Sequence, residues 1–155
     1  MKLNENGKAL TEKKFFSRET GFSINIKADT SIIWALLTNA ADYPRWNKTV
    51  TSIQGNIALG ETIQLKSVLD AKRVFKLKVK ELETGKKLVW GDAMGNRVYT
   101  LQKKSDNLVN FSMIEKIGGP LFPLFAGMIP AFDETFEQFA TSLKNEAELI
   151  NNTKN

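Results

Sequence analysis

The sequence predicts one α+β domain in which an antiparallel sheet closes on a long C-terminal helix. Three observations carry this expectation. Phe22, Ile24 and Ile26 alternate with polar residues, the pattern of a half-buried first strand, within a segment from Lys13 to Ile26. From Val50 to Ile117, short alternating runs are punctuated by Gly60, Gly85, Gly95 and Ser105-Asp106-Asn107, which spaces out six more strands. Phe132, Phe136, Phe139, Leu143 and Ile150 then recur at steps of three, four or seven, one apolar stripe on a helix from about 132 to 150.

Between the first strand and the rest of the sheet the pattern changes. Asp29, Thr30 and Ser31 supply capping side chains ahead of Ile32, Ile33, Trp34, Leu36 and Leu37, whose spacing suits a short helix. Ala40 to Trp46, with Pro44, reads as a second short helix. The clearest strand is Arg73 to Glu81, where Phe75, Leu77 and Val79 alternate with Lys76, Lys78 and Lys80, giving one buried face and one solvated lysine row. Pro123 suits a first helical turn, whereas Pro130 kinks a helix or marks its start. At 155 residues the chain can bury one core unaided. The expected division is a flexible N-terminal arm over 1–14, a single domain over 15–150 and a polar tail over 151–155.

Composition narrows the chemistry. With no cysteine and no histidine, disulfides, thiolate metal sites and cysteine nucleophiles are excluded, and acid–base work falls to carboxylates, lysine and tyrosine. No metal and no cofactor are expected, and no glycine-rich phosphate loop or nucleophile elbow is present. The net charge of +5 is not clustered into a block, so nucleic acid is not an expected partner. Met1 to Lys14 has no apolar run, so neither a secretory signal nor an integral membrane segment is expected, and the expected location is cytoplasmic. The oligomeric state is left open.

Several motifs point further. Ile32-Ile33-Trp34 with Leu36 and Leu37, then Tyr43-Pro44-Arg45-Trp46-Asn47, Gly55 and Gly60, Lys87-Leu88-Val89-Trp90, and Glu115 with Gly118 stand in one order. Over about Gly21 to Glu148 this set resembles the helix-grip fold of the START-like SRPBCC superfamily, which includes polyketide cyclase/dehydratase-like proteins. The resemblance implies a seven-stranded curved antiparallel sheet with two short helices after strand one and a long C-terminal helix. It also implies a cavity between sheet and helix, in a superfamily of lipid carriers, receptors, cyclases and chaperone activators. Trp34, Tyr43, Pro44 and Trp46 would then pack the two short helices beneath the sheet.

Strand parity predicts the cavity wall. If Phe75, Leu77 and Val79 point inward, so does Arg73; Leu88 and Trp90 bring Asp92, Tyr99 and Leu101 bring Arg97, and Val109, Phe111 and Met113 bring Glu115. Hairpin connectivity places Arg73, Asp92, Arg97 and Glu115 at one end of an otherwise apolar space, either to orient a polar head group or as water-screened rim ion pairs. Phe122, Phe125, Met128 and Phe132 would face them from the helical side, with Phe136 and Phe139 filling core. Phe122, Phe125 and Met128 are the candidate gate.

Three functions follow as expectations. The first is binding of a small apolar or aromatic ligand, lipid- or polyketide-like, at Arg73, Phe75, Leu77, Trp90, Arg97, Tyr99, Phe111, Met113, Glu115, Phe122, Phe125, Met128 and Phe132. The second is cyclase or dehydratase chemistry with Glu115, Asp92 or Tyr99 moving a proton. The third is docking to a chaperone or ribosome through Lys76, Lys78 and Lys80.

Overall fold

A computed structural model describes residues 1–154. In chain order the elements are β1 (Leu10–Lys13), β2 (Ser17–Ile26), α1 (Thr30–Thr38), α2 (Tyr43–Trp46), β3 (Val50–Gln54), β4 (Thr62–Ser67) and β5 (Asp70–Glu83). They continue as β6 (Lys87–Gly91), β7 (Gly95–Ser105), β8 (Leu108–Gly118), α3 (Phe122–Phe125) and α4 (Asp133–Asn152). Short 3₁₀ turns at Ala40–Asp42 and Ala126–Met128 lead into α2 and out of α3. All strands join one antiparallel sheet in the order β1-β2-β8-β7-β6-β5-β4-β3.

The expectation of seven strands, two short helices and a long C-terminal helix is corrected to eight strands and four α-helices. The additional strand, β1, lies within the segment expected as an arm. Its sequence Leu-Thr-Glu-Lys carries one large apolar residue and so shows no alternation. Its place comes from main-chain pairing to β2, from Leu10 opposite Gly21 to Lys13 opposite Arg18, and from side-chain anchors to α4. The Thr11 hydroxyl donates to Asp133 at 2.8 Å and the Ala9 N–H donates to Glu137 at 2.9 Å. The additional helix, α3, is a single turn that Pro123 starts.

Local chemistry sets the other boundaries. Asp29 caps α1 by accepting from the Ser31 N–H at 2.9 Å. The Asn47 side chain accepts from the Thr49 and Val50 N–H groups at 2.8 and 3.0 Å, turning the chain from α2 into β3. Asp133 and Glu134 sit in the first turn of α4, where negative charge favours the helix dipole. The helix runs on to Asn152, past the expected end at Ile150 and into the expected tail, of which Asn155 lies outside the described residues.

The core forms where α4 packs against one face of the sheet. Phe139 is its hub: Trp46, Tyr99, Phe111 and Phe22 place their ring centroids 5.9, 5.9, 6.3 and 6.4 Å from it. At one end of the sheet the strands press together. A Cβ at Gly91 would lie 2.2 Å from the Gly95 carbonyl oxygen, and one at Gly95 would lie 2.3 Å from that of Lys116, so both positions require glycine. Gly91 and Gly95 border a space that α4 does not fill. Among the described residues no helix is long and apolar enough to cross a membrane.

Candidate functional site

The space is a cavity of about 200 Å³ at the end of the sheet where β4, β6 and β8 finish and β5 and β7 begin. A water site needs roughly 10–15 Å³, so the cavity has room for a small organic molecule. Leu65, Phe75, Leu77 and Trp90 form its floor, and Met128, Ile129, Pro130 and Phe132 close it from the helical side. Arg73, Asp92, Arg97 and Glu115 all reach its wall, as do Asp70, Leu69 and Ile117.

The four charged groups differ in their commitments. Arg97 and Glu115 are register partners on β7 and β8 and form an ion pair at 3.1 Å, with side chains 12% and 19% exposed. The Arg97 guanidinium also lies over the Phe136 ring at 5.0 Å. Burial opposes its charge, but Glu115 and Tyr99 outweigh that, holding Arg97 protonated above its ordinary value. Asp92 is bound into the β6–β7 turn, its Oδ1 accepting from the Met94 and Gly95 N–H groups at 2.8 and 3.2 Å. Arg73 is exposed at the mouth, its guanidinium 4.5 Å from the Phe75 ring centroid, and has no ion-pair partner among the described residues.

The remaining sequence candidates separate into two groups. Arg73, Phe75, Leu77, Trp90, Arg97, Glu115, Met128 and Phe132 stand together around the cavity. Tyr99, Phe111 and Met113 share their inward parity but are fully buried in the aromatic core and do not reach the cavity wall. Phe122 is buried against Phe125, ring centroids 5.7 Å apart, and neither lines the cavity; Met128, 78% exposed, is the one member of the expected gate that does. Burial pushes the Tyr99 phenol up to about 12, against the opposing pull of Arg97.

Sequence reasoning missed Arg18. It is buried, stacks on Phe132 at 4.8 Å, and donates to the carbonyls of Ile129 and Pro130 at 3.2 and 2.7 Å. It therefore fixes the segment that roofs the cavity. The signal was an inward-parity arginine two residues before Thr20 and four before Phe22 on the first strand. Among the described residues, no cluster of His, Cys, Asp or Glu side chains is placed to hold a metal ion.

Solved structures share this architecture. A START superfamily protein from Mycobacterium smegmatis matches at 14% identity with a TM-score of 0.62, over 85% of this chain and 98% of that one. DynU16, from the dynemicin biosynthetic locus, matches at 12% identity and a TM-score of 0.64, over 86% of this chain and 48% of that one. StfQ, a di-domain ARO/CYC from the steffimycin biosynthetic pathway, matches at 13% identity and a TM-score of 0.60, over 83% of this chain and 44% of that one. The chain thus spans about half the length of the two biosynthetic proteins. No protein-family model and no curated protein matches the sequence. The chain has the START-like fold, and its cavity lies between the sheet and the segment 128–132 that leads into α4, not under the long helix as expected.

Proposed function

We propose that the protein binds a small apolar or aromatic molecule in this cavity, with a polar end toward Arg73. The observation that carries the reading is the composition of the wall. Phe75, Leu77, Trp90 and Phe132 surround the space, and among the described residues the guanidinium of Arg73 at its mouth forms no ion pair. Apolar walls with a few convergent polar groups favour binding and orientation of amphipathic ligands. Arg97 is already neutralised by Glu115, so it tunes the floor rather than offering a free charge.

Proton-transfer chemistry has weaker support. Glu115 is committed to Arg97, one oxygen of Asp92 is committed to its turn, and Tyr99 lies outside the wall with its phenol held neutral at ordinary pH. The lysine row Lys76, Lys78 and Lys80 is exposed on the outer face, away from the cavity, and the Lys80 ammonium donates to Asn96 at 2.6 Å. An exposed basic row is the ordinary solvated face of a strand.

The test is native mass spectrometry of protein freshly purified from cells, with extraction of any retained molecule and titration of a lipophilic fluorescent probe. Leu77→Trp fills the cavity and should abolish both adduct and probe binding. Arg73→Gln should weaken carboxylate-bearing probes about tenfold while leaving neutral ones unchanged, the loss of one charge-assisted hydrogen bond. Equal probe affinity in the original protein and the Leu77→Trp variant would overturn the assignment of the cavity.

A further inference from the structure

Most of the large apolar side chains that stand exposed among the described residues lie at the end of the sheet that holds the cavity. Of the twelve that stand exposed among the described residues, all but Met1, Leu10, Leu59 and Leu149 lie at this end. Phe15 and Phe16 tip the β1–β2 hairpin, 73% and 55% exposed, their rings edge to face at 4.7 Å. Leu121 and Leu124, 65% and 79% exposed, project from α3 and the turn before it, beside Met128. Val68 lies in the β4–β5 turn, and Val74 is the fifth residue of β5, next to Arg73.

These tips converge. The Gly119 N–H donates to the Phe16 carbonyl at 3.0 Å, and the Gly118 N–H donates to that of Met94 at 3.0 Å, so the hairpin tip, the β6–β7 turn and the entry to α3 meet. Met94, Met128 and the start of β5 share the cavity wall, which brings the β4–β5 turn to the same end. Cations stand among the apolar tips: Lys13 and Lys14 directly precede Phe15, and Lys72 and Arg73 follow the β4–β5 turn. All four are exposed, and none forms an ion pair among the described residues. Against them at the mouth stand Asp70 and Asp92, which leaves this rim net positive on a chain whose net charge is already +5.

Exposed aromatic and aliphatic tips on separate turns, interspersed with free lysines, match a lipid interface better than a protein one. A protein interface needs a continuous fitted surface, whereas a fluid headgroup layer accepts separate apolar insertions and attracts cations. We propose that this end docks peripherally on an anionic lipid surface. Phe15, Phe16, Leu121 and Leu124 enter the interface, Lys13, Lys14, Lys72 and Arg73 meet the headgroups, and the cavity mouth faces the bilayer. The docking stands on the rim alone and does not require the cavity to be occupied.

Flotation of the full chain with two kinds of vesicle tests this, one of phosphatidylcholine alone and one with about one third phosphatidylglycerol. The protein should float with the anionic vesicles at low salt and be released at about 0.5 M salt, where exposed charges are screened. Phe15→Ser/Phe16→Ser/Leu124→Ser should lower binding about tenfold or more with an unchanged thermal melt, because the side chains are already in water. Lys13→Gln/Lys14→Gln should lower it roughly fivefold per lysine, and serves as the readout if the apolar variant folds poorly. Failure to float with either vesicle overturns the proposal, as does equal flotation with both. A dimer seen by sedimentation and dissolved by Phe15→Ser/Phe16→Ser would assign the surface to a second copy of the chain and overturn it too.

Discussion

Arg97 Nε donates to Glu115 Oε1 at 3.1 Å across a directly opposed pair of β7 and β8, at the floor of the cavity and over the face of Phe136. A pair this shielded behaves asymmetrically. Glu115→Gln leaves the Arg97 cation without its counter-charge and should cost about 3–5 kcal/mol, whereas Arg97→Met/Glu115→Leu, which removes both charges, should come within about 1–2 kcal/mol of the original. Urea unfolding of the three proteins checks this. A Glu115→Gln cost below about 1 kcal/mol would mean that water screens the pair as it does on a surface.

Tyr99 gives a pH prediction. Its phenol ionises near the ordinary 10.0 when unfolded and at about 12 when folded, because burial disfavours the phenolate more than Arg97 favours it. The fold therefore prefers the protonated form. Its contribution is complete below pH 10 and is lost as pH rises from there through 12, about 2–3 kcal/mol in all. Tyr99→Phe should remove that part of the alkaline loss. The part due to Tyr43 should remain, since burial holds that phenol well above 10 as well. At neutral pH the variant should be at least as stable, because the Tyr99 hydroxyl makes no hydrogen bond of normal geometry. Unfolding free energies measured at pH 8 and pH 11 decide the point.

Arg18 should act on the cavity without touching its contents. Its two hydrogen bonds to Ile129 and Pro130 hold the roof segment, and lysine cannot reproduce that planar fork. Arg18→Lys should cost about 2 kcal/mol of stability. It should also speed amide exchange in residues 126–131 and weaken probe binding, while Arg73→Gln should leave exchange there unchanged. Exchange that is equally slow in both variants would remove Arg18 from the positioning of the roof.

Much of this architecture was legible from period alone. The two-residue alternation of β5, β6, β7 and β8 placed Arg73, Asp92, Arg97 and Glu115 on one inner face, and all four reach the cavity wall. Parity names a face but not what covers it. Tyr99, Phe111 and Met113 obey the same rule as Arg97 and Glu115, yet Phe139 packs onto Tyr99 and Phe111, so that part of the face is core rather than cavity. The strand β1 was illegible for a different reason: main-chain pairing and two side-chain anchors hold it, and neither leaves a hydrophobic pattern. The segment from Lys13 to Ile26, expected as one first strand, holds its strand only from Ser17 on, and Phe15 and Phe16 stand exposed on the turn before it, because apolar character alone does not say which residues lie on a turn.

Phe139 is where the separate layers of the molecule meet, and it offers the sharpest test of the core. Its ring touches Trp46 from the short helices and Phe22, Tyr99 and Phe111 from three neighbouring strands, and it is almost fully buried. Phe139→Ala removes a large ring from a site that four stiff aromatic neighbours cannot easily collapse to fill, so the cost should reach about 3–5 kcal/mol. That is a large share of the roughly 5–15 kcal/mol that holds an ordinary domain together. Phe15→Ser, which removes an equal ring from water, should change stability by less than about 0.5 kcal/mol. Urea midpoints at constant slope separate the two. A Phe139→Ala cost below about 2 kcal/mol would show that the rings repack, and that the boundary between core and cavity moves with them.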